Sequence, residues 1–470
     1  MTPEQVLELA NANRVEFVDL RCLDFHGSGH HLTVPVAELT RQVFVEGLRF
    51  AGTAFGGEPR AGESDVLLVP ASETAFVDPF CQHTTLAMIC DVHDARTREP
   101  YALDPRAVAR RAAGHLAASG VADAAHFAVE LEFFIFDQVC FDQGTNYAHY
   151  KLDSREGIWR RGRDEPDNLG HQVRPHEGRA PLPPTDSMHN LRSEMAAALR
   201  ECGAEITGHR HAPATGGQAA IALAPDTLVR MADKVVTAKY VIRNVAARHG
   251  KVVTFMPQPL FGEHGSGLPT RFWLSQGGRP VLAGEKPGGL SDHGLWAVGG
   301  LLKHAASLLA LCCSTTNSYK RLAAGADAPV RPMYSTRYRP AFVGVPTDQP
   351  QRGVKSIELW WPDASGNPYL ANSAILMAAL DGIQQRCDPG PPVDEDGGRM
   401  PPDRAAALGC APGSLEEALG ALREDREYLA RGGVFTDDAI ARWAERKMTS
   451  EIMPLRGRPH PYEFCLYFDR

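Results

Sequence analysis

The segment Val129–Asp137 is the sequence feature that most constrains the fold. It alternates apolar side chains with two carboxylates, Glu130 and Glu132. Successive side chains of a β-strand point to opposite faces of its sheet, so both carboxylates are predicted to share one face of a strand. Burying two neighbouring anions is costly unless a cation neutralises them. The pair therefore indicates either a divalent-metal site with oxygen ligands or an acidic face in contact with water.

Composition narrows the class of protein. The chain has 470 residues, enough for two or three domains, and its 43% hydrophobic and 23% charged residues are typical of a soluble globular protein. The net charge is −8 and no block of lysine and arginine stands out, so we expect no nucleic-acid partner. Ten cysteines without a CxxC pair predict free thiols in a cytoplasmic protein.

No membrane or secretory segment is expected. The N-terminus lacks a basic segment followed by an apolar one. The apolar stretch from Leu295 to Cys313 contains Lys303 and His304, and therefore predicts one buried helix.

Domain organisation follows from turn and cap signals. A hairpin is predicted from residues 15–22 and 31–35, then a helix over 36–46 and strands near 65–69 and 86–91, which together make a small α+β domain. Asp104 is a suitable N-cap and Pro105 a suitable first helical residue. We therefore predict domains 1–103 and 104–470.

The second domain contains further helices and one long polar segment. Residues 142–185 are rich in Gly, Pro, His and Arg, and so long a loop indicates a functional or oligomer contact. Helices are predicted over these ranges: 186–202, 226–248, 367–384 and, behind a capping box of Ser414 and Glu417, 415–430.

Several strings occur together in one order along nearly the whole chain. They are Glu130–Phe134, Pro183–Ser187, Thr254–Pro257, Gly265–Gly267, Thr315–Leu322, Asn367–Leu370 and Gly432–Asp437. This ordered set resembles type I glutamine synthetase. The resemblance implies an α+β fold: a small N-terminal β-grasp-like domain, then a large domain with a curved antiparallel sheet and flanking helices. It also implies two kinds of partner: a small-molecule substrate, and further copies of the chain in a hexameric ring or dodecamer with active sites between neighbouring subunits.

The family reaction has two steps. ATP phosphorylates the γ-carboxylate of glutamate, and ammonia then displaces the phosphate. This chemistry uses ATP with Mg²⁺ or Mn²⁺, and guanidinium groups to stabilise developing charge.

Some positions match the family's site. The resemblance implies metal binding by Glu130, Glu132 and Glu358. It implies contact with the substrate carboxylate and the phosphates by Arg321 and Arg339, the latter also binding the nucleotide. Asp327 stands where the family has the glutamate of its ammonia-side flap.

Other positions depart from the family. Ala212 and Ala220 stand where it has metal-binding glutamates, and Pro269 where it has a metal-binding histidine. The ammonium-accepting aspartate is replaced in the string Phe50–Thr53, which has Ala51. His264 stands where the family has a substrate-contacting asparagine. Trp360, Ser356 and Gly344 stand where it has arginines.

These departures predict a changed function. At most one metal ion is expected with the family ligands, so ATP and Mg²⁺ or Mn²⁺ binding should be weakened. The chain is not expected to make glutamine from glutamate and ammonium. One interpretation is a repurposed ligase that forms an amide or another C–N bond on an unusual substrate. The alternatives are an inactive homologue acting as a scaffold or regulatory partner, and a non-ligase activity on the same fold.

Three histidines could supply replacement chemistry. His209 and His211, with Glu132, could form a new zinc or transition-metal site, or could be hydrogen-bonded residues of a sheet. His264 could act as a general base or bind an anionic substrate, or could be a turn residue in water. The predicted catalytic set is Asp327, Arg321, Arg339 and His264. Trp360 and Trp361 alternate along a strand, so only one of them can face the pocket.

Overall fold

The structure is a computed structural model. It describes residues 1–55, 65–166, 168–324, 331–337, 341–347, 354–395, 400, 401, 403, 406 and 408–470. Asp327 and Arg339 lie outside the described residues.

The helices and strands are numbered along the chain. The α-helices are α1 (Pro3–Ala12), α2 (Val43–Glu46), α3 (Pro105–Ser119), α4 (His189–Glu201), α5 (Leu228–Arg248), α6 (Asp292–Lys303), α7 (Ala305–Cys312), α8 (Thr316–Ala324), α9 (Pro368–Gln385), α10 (Leu415–Glu424), α11 (Glu427–Ala430), α12 (Asp437–Arg446), α13 (Met453–Arg456) and α14 (Pro461–Tyr467). The strands are β1 (Phe17–Leu23), β2 (Gly29–Pro35), β3 (Leu48–Ala51), β4 (Asp65–Pro70), β5 (Phe76–Val77), β6 (Thr85–Asp94), β7 (Ala124–Phe136), β8 (Gln138–Gln143), β9 (Ala148–Asp153), β10 (Ile206–His211), β11 (Gln218–Leu223), β12 (Asp226–Thr227), β13 (Val252–Thr254), β14 (Thr270–Gln276), β15 (Arg279–Pro280), β16 (Ala283–Lys286), β17 (Tyr334–Ser335), β18 (Val343–Gly344) and β19 (Ile357–Leu359).

The N-terminal region is built on a mixed sheet with the order β2-β1-β6-β4-β3, and β5 pairs with β6. The predicted hairpin is confirmed, because β1 and β2 pair antiparallel with Leu20 opposite Leu32. The predicted helix over 36–46 is wrong. Only a turn at Val36–Glu38 and the short α2 are helical, since Leu39 has a non-helical ψ of 86° between them.

The large region is built on a sheet with the order β10-β11-β7-β14-β19-β18-β17. Its longest strand, β7, pairs antiparallel with both β11 and β14 and carries the paired glutamates. The apolar face of β7, with Val129, Leu131 and Phe133, is buried in the main hydrophobic core. Helices α3 and α5 pack against that face, which leaves the opposite face of β7 to the polar side chains.

Helix α9 is the centre of the helical layer. Asn367 caps its first turn by accepting a hydrogen bond from the Tyr369 N–H, and every residue from Pro368 to Ile383 is buried. The helix packs against α3, α5, α6 and α7. Asn367 also donates to the carbonyl of Asp24, at 3.1 Å, and so joins this layer to the N-terminal sheet.

Two helix predictions need correction. The predicted helix over Leu295–Cys313 is two helices, α6 and α7, bent by 75° at His304. Ser414 does cap α10 by accepting from the Glu417 N–H, but Glu417 accepts from the Gly413 N–H, so the reciprocal half of the capping box is not made. That helix ends at Glu424, before the separate α11.

Within the described ranges, no single helix is long and apolar enough to cross a membrane; α6 and α7 meet that test only as a bent pair, by length and composition.

Candidate active site

The pairing of β10, β11 and β7 places an arginine on the same face of the sheet as the paired glutamates, in line with Glu132 across the strands. Arg210 on β10 lies opposite Ala220 on β11, and Ala220 lies opposite Glu132 on β7. Glu130 lies opposite Ala222 in the neighbouring row. Residues opposite each other in a register share a face of the sheet, so Arg210 points toward both carboxylates. Since the intervening residues are alanines, the long side chain can cross β11.

Arg210 binds the two carboxylates unequally. Its Nη2 atom is 2.8 Å from Glu130 Oε1 and 3.7 Å from Glu132 Oε1. The other carboxylate oxygen of Glu132 accepts a hydrogen bond of 2.7 Å from the Gly267 N–H. Burial raises the pKa of Glu132 above its usual value, although the Gly267 hydrogen bond and Arg210 oppose that shift. The pair thus shares one guanidinium, and Glu132 has a backbone donor in addition.

Glu358 is paired with a second arginine. It lies opposite Arg271 in the β14–β19 register, and the Arg271 Nε atom is 3.0 Å from Glu358 Oε1. Arg271 also lies opposite Ala128 of β7, which places it on the same face as Glu130. The Glu358 side chain is only 11% exposed, whereas the Arg271 side chain is 60% exposed and faces water.

Arg321, on α8, is held by the backbone. Its guanidinium donates to the carbonyls of Trp360, Trp361 and Pro362. Arg321 lies beside Gly267, where an added Cβ would be 3.0 Å from its Nη1 atom. The predicted role of Arg321, contact with the substrate carboxylate and the phosphates, stays a prediction. Trp360 and Trp361 follow the end of β19, so the strand predicted for them is wrong. Their environments do differ, since Trp361 is fully buried and donates to the Phe342 carbonyl, whereas Trp360 is partly exposed.

The histidine-based metal site is not formed. His209 and His211 point to the face of β10 opposite Arg210, and therefore away from Glu132. His211 is fully buried and its Nε2 atom is 3.0 Å from Glu156 Oε2. His209 contacts the Ser193 hydroxyl instead, at 3.2 Å. Both are hydrogen-bonded residues of a sheet, which is the alternative that the sequence left open.

His264 lies in the turn before Gly265 and is partly exposed. Its ring makes an edge contact with His176, with 5.0 Å between centroids. The neighbouring Glu263 is buried and accepts hydrogen bonds from the N–H groups of Thr215 and His176. His264 thus lies next to the turn in which the Gly267 N–H donates to Glu132. The predicted catalytic role of His264 stays a prediction.

The described donor set does not fit a pair of divalent ions. Glu130, Glu132 and Glu358 already form ion pairs with Arg210 and Arg271. Ala212 and Ala220 are buried and offer no oxygen donor from their side chains. Among the described residues, no group of three or more His, Cys, Asp and Glu side chains is arranged to hold a metal ion.

Sequence reasoning missed the two arginines that pair with the acids. The signal for Arg210 was present, because it alternates with His209 and His211 and must face the opposite side of the strand. The signal for Arg271 was weaker, since only the pairing of β14 with β19 places it beside Glu358.

Comparisons with known proteins cover the whole chain. Residues 14–95 match the family model described as glutamine synthetase, beta-Grasp domain, and residues 102–467 match the model described as glutamine synthetase, catalytic domain. The chain is 44% identical to a glutamine synthetase from Aquifex aeolicus, over 100% of this chain and 99% of that protein. It is 45% identical to one from Frankia alni over 99% of both, and 41% identical to one from Salmonella typhimurium over 100% of both.

Solved structures agree on the fold. A Plasmodium falciparum glutamine synthetase superposes with a TM-score of 0.89 at 23% identity, and a GmaS–ADP complex with a TM-score of 0.81 at 25% identity, each over 99% of both chains. The predicted fold class is confirmed.

The predicted loss of glutamine synthesis is wrong on these findings. Relatives named glutamine synthetase are 41–45% identical to this chain over its full length, which points to ordinary glutamine synthesis rather than to a repurposed ligase or an inactive homologue. The prediction relied on a small number of exchanged positions, such as Ala212 and Ala220. The sequence identity of 41–45% is measured over the full length of the chain. Glutamine synthetases use ATP and divalent metal ions and are typically homo-oligomers. This chain belongs to the glutamine synthetase family.

Proposed function

We propose that this chain catalyses the ATP-dependent formation of glutamine from glutamate and ammonia. The observation that carries the proposal is identity of 41–45% to named glutamine synthetases along the whole chain. The order of elements supports it as well, because a β-grasp match precedes a catalytic-domain match without a large unmatched segment between them.

The two steps fix what the protein must supply. A γ-carboxylate oxygen of glutamate attacks the γ-phosphorus of ATP, and ADP leaves with the electron pair of the broken P–O bond. Ammonia then attacks the acyl carbon, phosphate leaves, and the new amide nitrogen loses a proton. Negative charge accumulates on phosphoryl and acyl oxygens in both steps, so fixed N–H donors are required.

Two described arginines suit that requirement. Arg321 is anchored by three carbonyl groups, so it can present donors without a large loss of side-chain entropy. Arg271 is 60% exposed on the face that carries the acids, so an anionic group of a substrate can reach it. The roles predicted for Arg339, Asp327 and His264 belong to the same proposal.

The proposal extends to cofactor, assembly and location. ATP is used with Mg²⁺ or Mn²⁺, with at most one ion on the family ligands, because ions held by one or two carboxylates rely on substrate phosphates. We further propose a homo-oligomer, as a hexameric ring or dodecamer, in the cytoplasm.

The test is direct formation of labelled product. The purified full-length chain is incubated with glutamate, ¹⁵N-ammonium and ATP, with Mg²⁺ or with Mn²⁺, and mass spectrometry measures amide-labelled glutamine and ADP. We expect one labelled glutamine per ADP. Arg321→Ala should lower kcat/KM by about 100-fold, as loss of a charge-stabilising donor does.

Arg200→Ala is the matched control, because Arg200 is exposed on α4 and should leave the rate unchanged. Absence of labelled glutamine above an ATP-free control, with either cation, would overturn the proposal.

A further inference from the structure

We infer that the guanidinium of Arg210 is the resident cation of the Glu130–Glu132 pair and takes the place of a divalent ion there. Its Nη2 atom is within ion-pair distance of both carboxylates, at 2.8 and 3.7 Å. A guanidinium presents several N–H donors in a plane, so it can serve two carboxylates at once. This inference concerns the same site as the proposed function and rests on the family assignment.

The neighbouring strand is built to let Arg210 reach the acids. Strands β10 and β7 are separated by β11, and hence by about 10 Å. Ala220 and Ala222 are the residues of β11 that lie in the rows of Glu132 and Glu130. A methyl group at each position leaves the space above β11 to the arginine side chain, whereas a larger side chain at 220 would occupy it.

The remaining contacts of the pair also favour a guanidinium. One oxygen of Glu132 is taken by the Gly267 N–H at 2.7 Å, which leaves the other oxygen turned toward Arg210. The side chains of Glu130 and Glu132 are 25% and 14% exposed, so little water screens their charge. A divalent ion bound to both acids would lie a few ångströms from Arg210 and be repelled by it.

Cation binding without nucleotide tests the inference. Mn²⁺ is titrated into the full-length chain, and the electron paramagnetic resonance signal of free Mn²⁺ measures the bound fraction. We expect the wild-type chain and its Glu132→Gln variant to bind Mn²⁺ equally, because the pair already holds its cation. Arg210→Ala should bind one further Mn²⁺ at least about tenfold more tightly than any wild-type site, and Arg210→Ala/Glu132→Gln should lose that gain.

A second variant and a second readout guard against misfolding. Arg210→Gln keeps polar bulk and should show the same gain of Mn²⁺ binding. Mn²⁺ should raise the thermal unfolding midpoint of both arginine variants and leave that of the wild type unchanged, because a ligand stabilises the state that binds it.

Two results would overturn the inference. One is Mn²⁺ binding by the wild type that Glu132→Gln abolishes, and the other is no gain of binding in either folded arginine variant. These results are independent of glutamine formation. A chain that makes no glutamine but gains Mn²⁺ on loss of Arg210 refutes the proposed function alone, and an active chain whose wild-type Glu132 binds Mn²⁺ refutes this inference alone.

Discussion

Arg106 is a buried residue that links the N-terminal region of the chain to the large region. It lies on α3 with 2% of its side chain exposed, and its guanidinium bonds to Asp233 at 3.0 Å, Asp91 at 2.5 Å and Glu73 at 2.9 Å. Asp91 and Glu73 belong to the N-terminal region, whereas Asp233 belongs to α5 and also accepts from the Tyr369 hydroxyl. Without Arg106 the Asp233 carboxylate, which is only 3% exposed, loses its buried cationic partner.

Arg106→Ala should therefore be strongly destabilising. We expect a loss of about 3–5 kcal/mol in the free energy of unfolding, seen as a lower thermal midpoint in differential scanning calorimetry. Arg110→Ala is the matched control, because Arg110 pairs with the same Glu73 and Asp91 but is 49% exposed. Its loss should cost less than about 1 kcal/mol, as for surface ion pairs. Equal losses from both variants would contradict the argument.

At the scale of elements, glycines set how closely α6 and α9 approach. A Cβ added to Gly300 would lie 2.1 Å from the Ala378 carbonyl oxygen, and one added to Gly382 would lie 2.2 Å from the Trp296 carbonyl oxygen. Both contacts are with backbone atoms, which cannot rotate away as a side chain can. The two helices therefore pack in contact only because each presents a glycine to the other's backbone.

Gly300→Ala should force α6 and α9 apart. We expect destabilisation of about 1–3 kcal/mol or more from overpacking, measured as a lower thermal midpoint. Gly420→Ala on α10 is the opposite case, because an added Cβ there meets no atom within 4 Å. That change should stabilise the chain by about 0.5–1 kcal/mol, since alanine is the better helix former. A stabilising Gly300→Ala would refute the close packing.

At the scale of the whole molecule, one buried histidine connects the bend between α6 and α7 to α9 and α10. His304, at the bend between α6 and α7, contacts Asp381 of α9 at 2.9 Å and Asp425, the C-cap residue of α10, at 2.8 Å. Its ring stacks on Tyr428, with 3.9 Å between centroids. Burial disfavours the charged imidazolium, but the hydrogen bonds to Asp381 and Asp425 outweigh it and raise the pKa of His304 above its usual 6.5.

The raised pKa predicts a pH dependence of stability. A group whose pKa is higher in the folded state stabilises it fully below the unfolded-state value of 6.5, and this contribution is lost as pH rises through the folded-state pKa. The thermal midpoint should therefore fall as pH rises above about 6.5, and by less in His304→Gln. His249→Gln, on an exposed histidine paired with Glu194, should keep the wild-type slope. A slope equal in the wild type and His304→Gln would contradict the role of His304.

Asp381 sets the acid limit of the same network. Burial opposes its ionisation, but bonds from His304 and Lys303 lower the pKa of Asp381 to about 2. Its contribution is therefore present above the unfolded value of 3.8 and is lost as pH falls toward 2.

Local sequence signals predicted most of the elements and part of the site. The alternation at residues 129–137 predicted β7 and the shared face of Glu130 and Glu132, and the Asp104–Pro105 and Asn367–Pro368 caps predicted the starts of α3 and α9. The sequence prediction missed the break at His304, because the segments on both sides of it are apolar and the contacts of His304 are with Asp381 and Asp425, more than 70 residues away.

The sequence by itself determined the family, the order of elements and which side chains share a face of each strand. These properties depend on identity along the whole chain and on the two-residue period of a strand. Only the tertiary structure decided what neutralises the acids, because Arg210 and Arg271 reach Glu130, Glu132 and Glu358 through strand pairings that sequence separation does not reveal. Long-range register, rather than any local pattern, sets those ion pairs.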